Sequence, residues 1–226
     1  MAKAPRYDGL ADWYQEFRPE LSNDELDALV RLLGPGHGRC LDLGCGTGVP
    51  TAAVAKLGWS VVGVDVSADL LQVASLRGLD VLEAHAHALP FEDASFDAAV
   101  SVWTHTDIDD FPTAVAEVAR VLRPDAPFVY IGAHPCFVGP HSLFLGADGA
   151  PEGVPRLHPG YRKAGRFDDS APGVGNPKGL RARVGAVHLP LQDFFEAFTA
   201  AGLRIERFEE LGERDYPHVI GLRARQ

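Results

Sequence analysis

Three glycines at alternate positions follow a carboxylate in Asp42-Leu43-Gly44-Cys45-Gly46-Thr47-Gly48. Residues without a Cβ let a backbone turn sharply and approach a bulky ligand to contact distance. An apolar run, Arg39 to Leu43, leads in, while Pro50 and small residues as far as Lys56 lead out, as in the first turns of a helix. Strand, tight loop and helix N-terminus together present backbone amides to a polar ligand. The dinucleotide fingerprint G-x-G-x-x-G is not met, because the third glycine comes one residue early and Val49 stands where the last belongs. The other residues suited to chemistry are histidines, which titrate near neutral pH and serve as general bases. His105 and His134 follow the apolar runs 96–103 and 127–133, and open α/β sheets bind ligands at the carboxyl ends of their strands. These two are the candidate bases.

The elements that must position these groups are readable in order. Ser22-Asn23-Asp24-Glu25 has capping-box spacing, and Leu26, Leu29, Val30 and Leu33 follow at helical spacing up to Gly34. Val61 to Val64 is a second strand ending in Asp65, and Ser67 is an N-cap for a helix to Arg77. Further strands are expected at about 79–83, 96–103, 127–133, 204–211 and 218–224. Val115, Val118, Ala119 and Leu122 form one apolar helix face, and Leu191, Phe194, Phe195 and Phe198 another. The order is that of an α/β chain with a mostly parallel sheet.

At these residues the chain resembles the class I S-adenosylmethionine-dependent methyltransferases. The D-x-G-x-G-x-G run is their first motif; Asp65, Leu89-Pro90-Phe91-Glu92-Asp93-Ala94-Ser95-Phe96-Asp97 and Arg120-Val121-Leu122-Arg123-Pro124 continue the likeness, which covers roughly 38–134. The resemblance implies one domain over 1–226 with a Rossmann-like, doubly wound, seven-stranded sheet of order 3-2-1-4-5-7-6 and an antiparallel last strand. It implies S-adenosyl-L-methionine as cofactor and S-adenosyl-L-homocysteine as product. Asp42, Gly44, Cys45, Gly46 and Gly48 would form the cofactor loop; Asp65, with Val66 beside it, would take the ribose hydroxyls. His85 stands where the family usually has an adenine-binding aspartate, with the Ala86 amide next to it, and Val102 closes the shell. Arg123-Pro124-Asp125-Ala126 departs from the family's usual Pro-Gly-Gly turn.

Residues 1–21 carry Tyr7, Trp13, Tyr14 and Phe17; in the family such a segment covers the site, while plain helix packing explains the same aromatics. The 135–187 stretch breaks into glycine, proline and basic residues, too long for an ordinary connection and expected as a lid after the fifth strand. Tyr14, Trp103, His158, Tyr161, Arg162 and His188 are the candidate substrate contacts. Incidental surface charge accounts equally for the basic residues of this stretch. His85 and His87 lack the cysteine or carboxylate company of a metal site, so no metal is expected.

A net charge of −10 and a pI near 5.3 argue against a nucleic-acid surface. There is no apolar run of membrane-spanning length, and three cysteines make no disulfide framework. The expectation is a soluble, cytoplasmic monomer or homodimer acting on a small molecule by O- or N-methylation, in biosynthesis. Two other readings stand beside it: a cofactor-binding enzyme of another reaction, such as cyclisation or decarboxylation, and a regulatory protein without turnover.

Overall fold

The computed structural model describes residues 5–138, 142–144, 155–157, 160–167, 179–212 and 216–226. Five parallel strands form the frame: β1 (Arg39–Leu43), β2 (Ser60–Asp65), β3 (Val81–Glu83), β4 (Ala98–Val102) and β5 (Pro127–Ala133). Two closing strands, β10 (Arg204–Leu211) and β11 (Val219–Arg225), complete a seven-stranded sheet of order β3-β2-β1-β4-β5-β11-β10. β11 runs antiparallel to both β5 and β10, the topology expected from the family likeness. The chain winds outward from β1 to β3 and returns on β1's other side with β4. That reversal opens a crevice at the carboxyl ends of β1 and β4.

The strands sort their side chains by period two onto two apolar layers. Leu41, Leu43, Val62, Val64, Phe128 and Tyr130 face α5 (Phe111–Val121) and α7 (Leu191–Ala200), where Phe111, Phe194 and Phe198 are buried. Cys40, Val61, Val100, Val129 and Ile131 face the other layer, with Ala28, Leu29 and Leu32 of α2 (Asn23–Leu32) and Val54 of α3 (Val49–Lys56). Both sheet faces are covered, which is why β4 is buried along its whole length and mostly apolar, Ser101 apart.

Local signals hold closely. The Ser22 capping box forms, with Glu25 N donating to Ser22 Oγ and Ser22 N to Glu25 Oε2, and Ser67 caps α4 (Ala68–Leu76). β3 begins at Val81 rather than Leu79, because only Gly63, Val64 and Asp65 of β2 have Cα partners along it. A short helix, α1 (Ala11–Phe17), lies in the N-terminal segment.

Within the expected lid, Ser142–Phe144 (β6) pairs with Pro155–Leu157 (β7), and Gly165–Phe167 (β8) pairs with Ala186–His188 (β9) after the one-turn α6 (Leu180–Val184). His158 lies outside the described residues.

Phe111 stacks on Phe194 with centroids 5.5 Å apart and contacts Tyr130 and Phe198 edge-on or tilted. Replacing Phe111 with alanine is expected to cost about 3–5 kcal/mol, read as a lower denaturant midpoint at constant slope.

Candidate functional site

Gly44, Gly46 and Gly48 take φ of +72°, +53° and +81°, the left-handed region in which a side chain is strained. Their surroundings differ. A Cβ on Gly44 would collide with the Thr104 methyl, and one on Gly48 with Leu79, so these glycines let β4's exit and the α4–β3 turn pack against the loop. A Cβ on Gly46 would meet nothing nearer than 3.8 Å, at Tyr14. Gly46 keeps open space, not a tight contact.

Asp65 holds this loop. Its Oδ2 accepts from Gly46 N at 2.9 Å, and its Oδ1 from Ser67 N at 2.9 Å. Burial pushes its carboxyl up, and the amides of Ser67, Gly46 and Val66 pull it back toward ionisation. Asp42 sits beneath the loop, fully buried, with Oδ2 accepting from Thr51 Oγ1 at 2.6 Å and Oδ1 without a hydrogen-bond partner. Burial pushes its carboxyl up to about 7, with Asp65's charge adding and the Thr51 hydroxyl opposing.

A cavity of about 510 Å³ opens over the loop. Gly44, Gly46, Asp65, Val66, His85, Ala86 and Val102 line one part of it, and Tyr14 and Trp103 another. Asp42, Cys45 and Gly48 lie outside the lining: Asp42 and Cys45 are buried, and Gly48 caps α3. An open glycine facing a half-buried carboxylate, with imidazole and amide groups one strand further out, fits a nucleoside with its ribose diol on Asp65.

The second part of the cavity is built from segments distant in sequence. Trp103, at φ +62°, donates Nε1–H to Glu25 Oε1, while Arg18 bonds the same oxygen at 2.6 Å and lies 4.9 Å over the indole. Glu25 thus serves both the α2 cap and a cavity wall. Tyr7 and Tyr14 meet edge to face at 5.1 Å. Asp107 lines the cavity and takes Arg181 Nη1 at 2.8 Å; Asp109 pairs with Arg6. Asp107 and Arg181 sit among residues the sequence marks as a polar cluster and a basic stretch, yet nothing in either stretch says that they meet.

The two candidate bases are not in the lining. His105 is 1% exposed, with Nδ1 hydrogen-bonded to the Tyr130 hydroxyl and edge contacts to Phe111 and Phe194. Burial pushes it down to about 3, so it is neutral at physiological pH. His134 is 2% exposed; its Nδ1 accepts from Cys136 N and its Nε2 meets Glu210, both at 3.1 Å. Burial lowers it too, against the pull of Glu210. Tyr161 and His188 join each other rather than the cavity: His188 Nε2 donates to Tyr161 O at 2.5 Å, and the Tyr161 hydroxyl accepts from Leu191 N at 2.9 Å, tying β9 and the start of α7 together. Arg162 is exposed. Among the described residues no group of histidine, cysteine and carboxylate side chains is arranged to hold a metal, and no helix is long and apolar enough to cross a membrane.

Residues 41–130 match a family model described as a methyltransferase domain. Over these residues the chain is similar to the class I S-adenosylmethionine-dependent methyltransferases. It is 34% identical over 143 residues to a 2-phytyl-1,4-naphtoquinone methyltransferase of Trichormus variabilis, covering 58% of this chain and 61% of that protein. It is 34% identical over 141 residues to the O-methyltransferase cnsE of Penicillium expansum, covering 55% and 51%. The chain therefore spans about half to three fifths of the length of these curated relatives. An S-adenosylmethionine dependent methyltransferase from Mesorhizobium loti shares the fold, with TM-score 0.70 at 23% identity over 89% of this chain and 96% of that one. Gly44, Gly46 and Asp65, which line the cavity, all fall within the matched residues 41–130.

Asp42 yields a pH prediction. A carboxyl raised from its unfolded value of 3.8 to about 7 contributes stability that is full below pH 4 and lost as pH rises through 7. Asp42→Asn keeps a neutral acceptor for Thr51 and removes this titration. Its stability relative to wild type is expected to rise between pH 4 and 7, as measured by urea denaturation across that range.

Proposed function

We propose that the protein is an S-adenosylmethionine-dependent methyltransferase with a small-molecule acceptor. The observation that carries this is Asp65, a half-buried carboxylate at the end of β2 that binds the glycine-loop amide across the cavity floor. In this reading Asp65 holds the ribose diol, Gly46 leaves room for the ligand, and His85 with the Ala86 amide borders the adenine. The bound sulfonium supplies an electrophilic methyl carbon, so the chain's task is to orient, align and exclude water. A cavity of about 510 Å³ suits the cofactor with a small acceptor, and a net charge of −10 disfavours a polyanionic one. The relatives' names, a quinone methyltransferase and an O-methyltransferase, support small organic acceptors.

Calorimetric titration with S-adenosylhomocysteine tests the reading. Wild type is expected to bind it, and Asp65→Ala to lose about 1.5–3 kcal/mol of that affinity, the scale of a hydrogen bond to a charged group. Unchanged affinity in a folded Asp65→Ala protein would remove the carboxylate from the site.

Gly46→Val is expected to abolish binding while costing only about 1–2 kcal/mol of fold stability for its left-handed backbone. A valine variant that binds normally would make the loop a structural turn only.

A further inference from the structure

Beyond β4 the chain makes a turn, closed by Asp107 N donating to Thr104 O at 2.8 Å, that delivers Asp107 to the cavity wall. The carboxylate is fixed from a segment more than seventy residues away. Arg181 Nη1 donates to Asp107 Oδ1 at 2.8 Å and to the Gly185 carbonyl at 3.1 Å, while its Nη2 donates to Thr106 Oγ1 at 2.8 Å. Val187 N adds a backbone tie to Thr106 O at 2.7 Å. The guanidinium is buried and the carboxylate half-buried, and the carbonyl and hydroxyl bonds to the guanidinium help such a pair persist away from water. Asp107 Oδ2 accepts from Thr106 Oγ1 at 3.3 Å and the Tyr7 hydroxyl also bonds this carboxylate, whose two oxygens have about four acceptor sites in all. Tyr7, Tyr14 and Trp103 line the same cavity, and aromatic faces of this kind hold a planar ring.

Building on the methyltransferase reading, we propose that the acceptor is a planar hydroxylated aromatic whose hydroxyl docks on Asp107, and that the methyl goes to that oxygen. The paired carboxylate decides between acceptor chemistries. An ammonium group would meet a carboxylate already neutralised by Arg181 and be repelled by the guanidinium 2.8 Å from it. A neutral hydroxyl loses nothing there, and negative charge developing on its oxygen is stabilised by the same guanidinium. As the hydroxyl oxygen forms its bond to the methyl carbon, the carbon–sulfur bond breaks with its electron pair going to sulfur. The hydroxyl proton passes to the Asp107 carboxylate. Asp107 is then the catalytic base, and neither His105 nor His134 moves the proton.

Three ligands sharing one ring system test the proposal by binding alone: 7-hydroxycoumarin, coumarin and 7-(aminomethyl)coumarin, each titrated calorimetrically into the complex with S-adenosylhomocysteine. Wild type is expected to bind 7-hydroxycoumarin about tenfold or more tightly than either of the others, as a hydrogen bond to a charged group implies. Asp107→Asn is expected to reduce that preference to within about threefold while S-adenosylhomocysteine affinity stays at the wild-type value. The wild-type comparison varies only the ligand, so it decides the matter even if the variant folds poorly. Equal binding of hydroxycoumarin and coumarin, a preference for the amine, or an undiminished preference in a folded Asp107→Asn protein would each overturn the inference. Wild type that fails to bind S-adenosylhomocysteine would instead sink the methyltransferase reading on which it rests.

Discussion

The bond from Gly46 N to Asp65 Oδ2 joins two strand ends that the sheet alone would leave independent. β1 and β2 are paired through Leu43 and Val64, and beyond that register the backbone must turn away from the ladder. Gly44 and Cys45 amides still reach Val64 O, at 2.8 and 3.0 Å, so the loop is drawn across the end of β2. Asp65 then takes the next free amide. The same carboxylate accepts from Ser67 N and so sets the entry of α4. One half-buried carboxylate thereby organises a glycine turn and a helix start, its oxygens met by backbone N–H groups instead of a cation. A cationic partner would occupy the face a ligand needs.

A second buried carboxylate does comparable work on the opposite wall. Glu25 begins as a helix cap, a local device usually worth about 1 kcal/mol. Here its oxygens also receive Arg18 and the Trp103 indole, and burial is more than offset by these partners, so its carboxyl is lowered. The N-terminal segment is tied on in the same manner, by Arg6 to Asp109, by Ser67 Oγ to Asp8 Oδ1 at 2.7 Å, and by Gly9 N to Asp69 Oδ2 at 2.5 Å. Polar ties of this kind are directional, and several together specify where a segment with few buried apolar residues must lie.

The frame was legible because its signals are local or periodic. Capping spacing gave α2 and α4 their starts, apolar runs gave the strands, and the glycine spacing marked the floor of the cavity. What stayed hidden depends on the few residues after a strand ends. His105 was placed toward the ligand because it follows β4, but the chain leaves the pleat at Trp103, whose φ of +62° breaks the alternation. Trp103 and Thr104 keep to the cavity, and His105 drops into the aromatic layer beside Tyr130 and Phe194. No pattern of residue types encodes that change of face. The Asp107–Arg181 pair is illegible for another reason, since its members are 74 positions apart and are joined through α6 and β9. Sequence shows a carboxylate and an arginine; only the folded backbone makes them neighbours.

These two facts bear on each other. A histidine inside an aromatic layer, held neutral by burial, is a poor proton acceptor, because the charge it would gain has no solvent and sits near the fixed positive charge of Arg181. What His105 does supply is a polar atom for the Tyr130 hydroxyl, which would otherwise be an unsatisfied donor beneath the sheet. Arg181 disfavours charge on His105 and is itself paired with Asp107 at 2.8 Å. In the proposed function the frame of strands and glycine loop holds the nucleoside, and the proposed acceptor meets Tyr7, Tyr14 and Asp107, which enter the cavity from the N-terminal segment and the β4 exit, with Arg181 of α6 behind them.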